Sequence, residues 1–489
     1  MKRRTLLAGG AAIAALGAGS LGWMRRSSAA MSLDGRERLA MPPLLDTRDS
    51  GAFELTALYG ESRFTSGAPS ATAGYNQAFL GPTVLMRSSG GVKASVSNAL
   101  DEAVSAHWHG LMLPGEVDGG PHQPVLPGKR WTPELQIQQA PATAWYHTHV
   151  HGRTAPMVHA GLAGVIHVSD GDDEARGLPS AYGVDDLTLV LQDRRFDDAG
   201  RMVYDISMMD VMHGFAGDTV LVNGQGNAVA AVPKGIVRLR LVNGSNARIY
   251  TLAFDDGRPM HQIATDGGYL AKPQTLEVLP LAPSERAEVL VDFSDGATVA
   301  MISGPDPNQG PGGMMGRMQG MMRQFVPSVL PILPFAVDER LEARVTALPG
   351  ELGAGPAEPN MTGAETRTFS LDMGMGMMGG GGFAINGRPY AMDRIDLELK
   401  RGVTERWVVS SAMLVHPFHV HGAQFHVLSE NGGSPKAHNR GLKDTVLIDG
   451  QAEIAVRFDN PAGPDTPFMY HCHILEHEDA GMMGQFTVS

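Results

Sequence analysis

From about residue 48 onward the chain is written in short runs that alternate apolar and polar positions, separated by Gly, Pro, Asn and Asp. Ile236-Val237-Arg238-Leu239-Arg240-Leu241-Val242 is the clearest of them. A period of two sends successive side chains to opposite faces, so this run predicts a strand with Val237, Leu239 and Leu241 inward and Arg238 and Arg240 in water. Glu288–Phe293, Glu453–Phe458 and Gly484–Val488 follow the same rule. Long amphipathic helical stretches are few, and 61 Gly and 32 Pro supply the turns. The pattern predicts an all-β chain of sandwiches or barrels. Two stretches break it: residues 304–323, rich in Gly, Pro and Met, and a stretch rich in Ala, Gly, Pro and Glu that predicts a linker over 337–364.

One segment is written twice. Trp145-Tyr146-His147-Thr148-His149 is followed by Ala160-Gly161-Leu162-Ala163-Gly164 and a strand ending at Ser169. Met469-Tyr470-His471-Cys472-His473 is followed by Ala480-Gly481-Met482-Met483-Gly484 and a strand ending at Ser489. Upstream of each copy lies His-x-His-Gly, at 107–110 and at 419–422. The region between has strand texture but no such pairs. Three consecutive β-domains are predicted, over 48–175, 180–336 and 365–489, the outer two matched and the middle one a spacer.

In a strand, positions i and i+2 share a face roughly 6.5–7 Å apart, so each His-x-His pair is a two-pronged metal clamp. Four pairs supply His107, His109, His147, His149, His419, His421, His471 and His473. Two facing repeats would bring all eight imidazoles into one cleft, suited to several ions of copper, zinc, iron or nickel rather than calcium or magnesium. Cys472, between His471 and His473, points to the opposite face of its strand. It replaces Thr148 of the first copy, and His416, His477 and Met482 lie close by in sequence. One thiolate, two imidazoles and a weak thioether are the ligand set of a blue-copper electron-transfer site. His151, His159 and His167 lie beyond the clamps and are read as non-ligands, and His122, His213, His261, His426 and His438 have no partner spacing.

Composition narrows the setting. The 489 residues carry 39 basic and 52 acidic side chains. Five of the basic ones lie within the first thirty residues, which hold no acid, leaving 34 against 52 and a net −18 for the rest. So acidic a body repels phosphate backbones, and nucleic acid is not an expected partner. Lys2-Arg3-Arg4 followed by a Gly/Ala-rich stretch and Ser28-Ala29-Ala30 predicts a twin-arginine export signal over residues 1–30 and a periplasmic location. Beyond it no uncharged apolar run is long enough to span a bilayer. A single cysteine excludes a disulfide framework.

At these residues the chain resembles the multicopper oxidases. The motifs that carry the resemblance are His-Trp-His-Gly (107–110), Trp-Tyr-His-Thr-His (145–149), His-Pro-Phe-His-Val-His-Gly (416–422) and His-Cys-His-Ile-Leu-Glu-His-Glu-Asp-Ala-Gly-Met (471–482). The resemblance implies three cupredoxin-like Greek-key domains and four coppers. His416, Cys472, His477 and Met482 would hold type 1 copper, and His107 and His419 type 2. His109, His147, His149, His421, His471 and His473 would hold the type 3 pair. It further implies one-electron oxidation of substrate coupled to reduction of O2 to water, with Asp118 and Glu478 as proton relays, in a chain expected to be monomeric.

For the substrate the resemblance points to copper efflux oxidases. Met373, Met375, Met377 and Met378 form a methionine-rich run before Asn386-Gly387, and Met314, Met315, Met318, Met321 and Met322 form a second. Thioethers select Cu(I), so the expectation is a cuprous oxidase. One departure stands against it: Ala412 and Leu414 occupy the positions where those oxidases carry an acidic and a methionine ligand for substrate copper. The close alternative is a laccase-type oxidase of phenols, aromatic amines or bilirubin-like molecules. A copper-free cell-division or scaffold protein of the same fold should have eroded the ligands, and a copper-storage protein would not need eight clamp histidines. The shorter nitrite reductases do not carry four such pairs.

Overall fold

The structure, a computed structural model, describes residues 33–308, 329–374 and 382–489. The export signal read at residues 1–30 lies outside them. The described chain is built almost wholly of strands, arranged as three pairs of sheets. The first pair joins a sheet ordered Leu44–Asp46, Thr83–Arg87, Ala163–Ser169, Ala142–His147 to one built around Ala52–Ser62 and Ser89–Asn98. The middle pair is built around Asp186–Phe196, Ile236–Asn243 and Arg286–Asp292 on one side and Ala228–Val232, Leu330–Val337 and Val299–Ser303 on the other. The last joins a sheet containing Glu365–Met373, Thr404–Ser411 and Gln451–Arg457 to the sheet Leu397–Leu399, Met483–Val488, Phe468–Cys472, His416–Val420, Thr445–Ile448. In each pair a long strand lies parallel to one that is not its neighbour in sequence, the crossover of a Greek key: 52–62 with 89–98, 186–196 with 236–243, 365–373 with 404–411. Residues 338–364 carry no strand or helix.

Each unit closes on its own apolar core. Leu55, Val96 and Ile137 are central in the first, Leu239, Val289 and Phe335 in the middle one, and Trp407, Phe418 and Phe486 in the last. The first two strands of the described chain strap two units together. Glu37–Arg38 pairs with Ala228–Val229 of the middle unit, and Leu44–Asp46 with Thr83–Leu85 of the first. Among the described residues no helix is long and apolar enough to cross a membrane.

The duplicated segment folds the same way twice, as strand, short helix, strand. In the first unit it is Ala142–His147, Thr154–Ala160, Ala163–Ser169, and in the last Phe468–Cys472, Leu475–Asp479, Met483–Val488. The two helices are absent from the sequence reading, being too short to show a period. In both copies a tyrosine lies across a facing glycine, Tyr146 on Gly164 and Tyr470 on Gly484. A Cβ on either glycine would stand 2.2 Å from the Tyr146 hydroxyl or 2.3 Å from the Tyr470 ring, so no other residue fits. The copies also lock to each other: the Asp479 carboxylate accepts the Thr154 and Ala155 amides at 3.0 and 2.8 Å, capping the first helix from the last unit.

The strand 236–243 corrects one expectation. Val237, Leu239 and Leu241 are buried, but Arg238 and Arg240 are only 1% and 4% exposed. Their face does not meet water; it meets the first unit. Arg240 forks onto Asp186 at 2.8 and 3.0 Å and reaches Glu288 at 3.1 Å, while Arg238 pairs with Glu288 and donates to Tyr269. Thr143 of the first unit donates to the same Glu288 at 2.7 Å. Period two shows that a strand has two faces; it does not show whether solvent or a neighbouring unit covers the polar one. Removing one partner from such a network strands a buried charge. Glu288→Ala should therefore lower unfolding stability by about 3–5 kcal/mol, read as a reduced denaturant midpoint.

Candidate metal centre

All eight clamp histidines are buried. They lie where strands run out. His147 and Val420 end their strands at the seam between the first and last units, and Cys472 ends another. His107 and His109 depart from the strand geometry expected of them. His107 makes a lone bridge to His147, and His109 stands in the following turn. Within the four pairs the ring centroids are nonetheless only 5.0–5.8 Å apart.

The two sets face each other across a pseudo-twofold relation. His107 stacks on His421 at 3.9 Å and His109 on His419 at 3.7 Å, while His147 lies 5.3 Å from His473 and His149 5.0 Å from His471. First meets last in every pair. The convergence that the repeats predict is present in the structure.

Five of the rings, those of His107, His109, His147, His419 and His421, are tied outward by one nitrogen. Asp118 O receives His107 Nδ1 at 3.0 Å, Thr148 O receives His147 Nδ1 at 2.8 Å, and Asp444 O receives His419 Nδ1 at 2.8 Å. The Asp118 carboxylate takes His421 Nδ1 at 2.8 Å, and the Asp444 carboxylate takes His109 Nε2 at 3.1 Å. The remaining nitrogens face inward. His107 Nε2, His109 Nδ1, His147 Nε2, His419 Nε2 and both nitrogens of His473 have no hydrogen-bond partner. His149, His421 and His471 bring their Nε2 atoms to 3.2–3.3 Å of one another around His471. A buried polar atom left unsatisfied costs about 1–3 kcal/mol, and this many in one buried pocket form a donor set able to hold metal. Their outward bonds fix the tautomers, as metal-binding imidazoles require.

At six of the rings protons do not compete for the lone pairs at neutral pH. Burial, with neighbouring imidazoles second, pushes His109, His149, His419 and His421 well below the ordinary histidine range, and His147 and His473 likewise. Glu478 stands behind the seam, its oxygens 3.4 and 3.1 Å from the Nδ1 atoms of His149 and His471. Asp118 and Glu478, singled out in the sequence as acids near the site, thus both touch clamp histidines while remaining buried.

On the other face of the strand Phe468–Cys472 a second set gathers. His416 Nδ1 is 3.4 Å and His477 Nδ1 3.7 Å from Cys472 Sγ, and the two Nδ1 atoms are 3.3 Å apart. The Ile474 amide donates to the sulfur at 3.4 Å. Met482 is fully buried in the same core, its amide bonded to His477 O and its carbonyl to the Cys472 amide. Burial pushes the thiol up and lowers His416 to about 4. The far nitrogens bond outward, His416 Nε2 to Met413 O at 3.0 Å and His477 Nε2 to Met212 O at 3.2 Å. Phe383 stacks on His477 at 4.5 Å. Donor chemistry and open lone pairs of both sets fit copper.

The middle unit does more than space the others. Arg286, fully buried, bonds Asp444 of the last unit through both terminal nitrogens, Thr143 O of the first and Ser284 O of its own. Asp444 in turn touches His109 and His419. Neither residue is visible in the sequence as part of the site, because their spacing of 158 positions follows no local rule. His159 and His167, read as non-ligands, pack instead toward the middle unit, against Tyr204 and Phe215 and against Thr188. Met373 packs half-buried on the last core. Met375, Met377, Met378 and the run Met314–Met322 lie outside the described residues.

Two outcomes follow from this geometry. Asp444→Asn should weaken copper binding at the eight-histidine site about 10–100-fold. Chelator titration reads the loss, with the colour of the cysteine site as internal control. Histidines whose folded pKa lies below their unfolded value stabilise the fold only above the unfolded value of about 6.5. As pH falls below it, the unfolded chain takes up protons that the folded chain refuses. The copper-free protein should therefore unfold at markedly lower urea at pH 5.5 than at pH 7.5, by up to about 1.4 kcal/mol per pH unit for each such histidine.

Comparison with known proteins bears on the same residues. Sequence models described as multicopper oxidase match residues 57–173, 192–303 and 354–489. Among curated relatives, the cell division protein FtsP of Yersinia pestis is 37% identical over 97% of this chain and 96% of its own. The FtsP of Edwardsiella tarda is 38% identical over 100% and 98%. Among solved structures, the laccase-like multicopper oxidase CueO of the lignin-degrading bacterium Ochrobactrum sp. superimposes with a TM-score of 0.84 at 43% identity. It covers 92% of this chain and 100% of that one. A Campylobacter jejuni multicopper oxidase described as a metallo-oxidase gives 0.78 at 28% identity, covering 94% and 97%. With its three cupredoxin-like domains, this chain belongs to the multicopper oxidase family.

Proposed function

We propose that the protein is an oxidase that takes electrons one at a time from cuprous ion at the Cys472 site and delivers them to dioxygen at the eight-histidine seam. The observation that carries this reading is that Cys472 gathers with His416 and His477 on one side while its neighbours His471 and His473 face the first unit's histidines on the other, joined by the peptide bonds of His471-Cys472-His473. In this reading His416, Cys472, His477 and Met482 hold type 1 copper, His107 and His419 type 2, and the remaining six histidines the type 3 pair. Copper bound there supplies one-electron transfer and the four-electron reduction of O2 to two waters.

The chain's own residues do the rest. Burial keeps His109, His147, His149, His419, His421 and His473 neutral. Asp118 holds His421 Nδ1 and lies 3.3 Å from His107 Nδ1, and Glu478 lies against His149 and His471. Both carboxylates are placed to carry the protons that water formation consumes. The paired Arg3-Arg4 supports export by the twin-arginine route to the periplasm.

Two other readings have support. The Ochrobactrum CueO is described as acting on lignin model compounds, which favours phenols as substrates. The FtsP relatives bear a cell-division name, which favours a structural role. A role without redox chemistry gives no reason to keep Cys472 between two clamp histidines. Oxygen uptake with Cu(I) against a phenol, at matched concentration, separates the three: faster uptake with Cu(I) is expected, faster uptake with the phenol selects the laccase reading, and none with either defeats both. Cys472→Ser should abolish the blue colour and turnover while most seam copper stays bound. Unchanged turnover would overturn the proposed wiring.

A further inference from the structure

Methionine is among the residue types most often buried. Among the described residues, four methionines are exposed: Met208 at 82%, Met392 at 39%, Met413 at 38% and Met209 at 37%. Met208 and Met209 open the helix Met208–His213, an element of the middle unit, and Met212 completes the set one turn on. Positions i, i+3 and i+4 share a helix face, so Met212 neighbours both of the others. The helix is held firmly. Ser207 and Asp210 form a reciprocal cap, and Arg195 clamps Asp210 at 2.5 and 3.1 Å. An exposed methionine on so fixed a support is not there to fill a core.

Position gives these thioethers a use. The helix packs against the helix Leu475–Asp479, which carries His477. Met212 O accepts the hydrogen bond from His477 Nε2, and Met413 O accepts the one from His416 Nε2. Both imidazoles of the cysteine site therefore reach outward to the backbone of a methionine. Met212 also packs on the core that contains Cys472.

We propose that the helix Met208–His213, through the thioethers of Met208, Met209 and Met212, is a docking site for cuprous ion, with Met413 on the neighbouring edge. This rests on the oxidase reading above. Neutral sulfur ligands select Cu(I) over harder cations, and the acidic body of the chain draws cations toward it. The docked ion gives up one electron and becomes Cu(II). The electron enters the cysteine site along the Met212 carbonyl–His477 hydrogen bond, and dioxygen is its final acceptor, four electrons and four protons making two waters. Cu(II), harder than Cu(I), loses its preference for sulfur and leaves. A site of this kind does not depend on Ala412 and Leu414, which stand where the efflux oxidases carry their own copper ligands.

The test replaces sulfur without changing shape. Met208→Leu/Met209→Leu touches exposed positions only, and a second variant adds Met212→Leu, a volume-conserving exchange. Each is prepared as the copper-loaded enzyme. Two quantities are read: anaerobic withdrawal of Cu(I) from a chromogenic cuprous chelator, and the ratio of kcat/KM for Cu(I) to that for a phenol. The wild type should withdraw Cu(I) beyond its resident coppers, and the variants should lose that capacity and at least about tenfold of the ratio. Equal withdrawal and an equal ratio would overturn the site and leave the oxidase reading intact. Withdrawal lost in the variants, from a wild type that consumes no oxygen with Cu(I), would support the site and overturn the oxidase reading instead. An unchanged ratio in the variants with phenol and Cu(I) slowed together would mark an apolar contact surface and overturn the site.

Discussion

Everything in this fold answers to one constraint: eight imidazoles must sit buried in one seam, facing one another across it. Burial alone would leave those rings free to turn. What fixes five of them is a rim of acceptors, the carbonyls of Asp118, Thr148 and Asp444 and the carboxylates of Asp118 and Asp444, each bonded to an outward nitrogen. The cluster is therefore specified from outside in. Its ligands are symmetric between first and last units, while the carboxylates that orient them are not: Asp118 comes from the first and Asp444 and Glu478 from the last.

The middle unit contributes no clamp histidine, yet it sets how the other two meet. Its buried arginines do this. Arg238 and Arg240 share Glu288 with Thr143 of the first unit, and Arg286 joins Thr143 to Asp444. Such ion pairs stabilise little in net terms, because desolvation offsets most of the attraction. They are directional, however, and a mispacked seam would part Arg286 from Asp444 and Glu288 from Thr143. Register between units is what they specify. On the far side Glu476 does the same with neutral groups, binding Tyr204, Asn246 and the Phe215 amide of the middle unit.

The sequence carried the site more fully than the fold around it. A histidine at i and i+2, repeated in a duplicated segment, is a local signal, and so is Cys472 between two members of one pair. The all-β character was equally local, since period two and turn residues are properties of short windows. What the sequence could not show is what covers a face. Arg238 and Arg240 read as wet because strands with alternating charge usually are; only assembly reveals a neighbour there. Asp444 and Arg286 were invisible for the same reason, being joined by tertiary contact alone. The helices Thr154–Ala160 and Leu475–Asp479 were missed because seven and five residues are too few to show helical periodicity.

The strap at residues 37–46 bears on the order in which this molecule can be made. Its first piece pairs with residue 228 and its second with residue 83, so the earliest described part of the chain waits nearly two hundred residues for a partner. His107 waits longer, for His421. Contacts so distant in sequence close slowly, because the entropy of a long loop is lost before any pairing repays it. The seam set cannot be complete before His473 is made, nor the cysteine set before Met482. Both clusters thus come together only once nearly the whole polypeptide has been made.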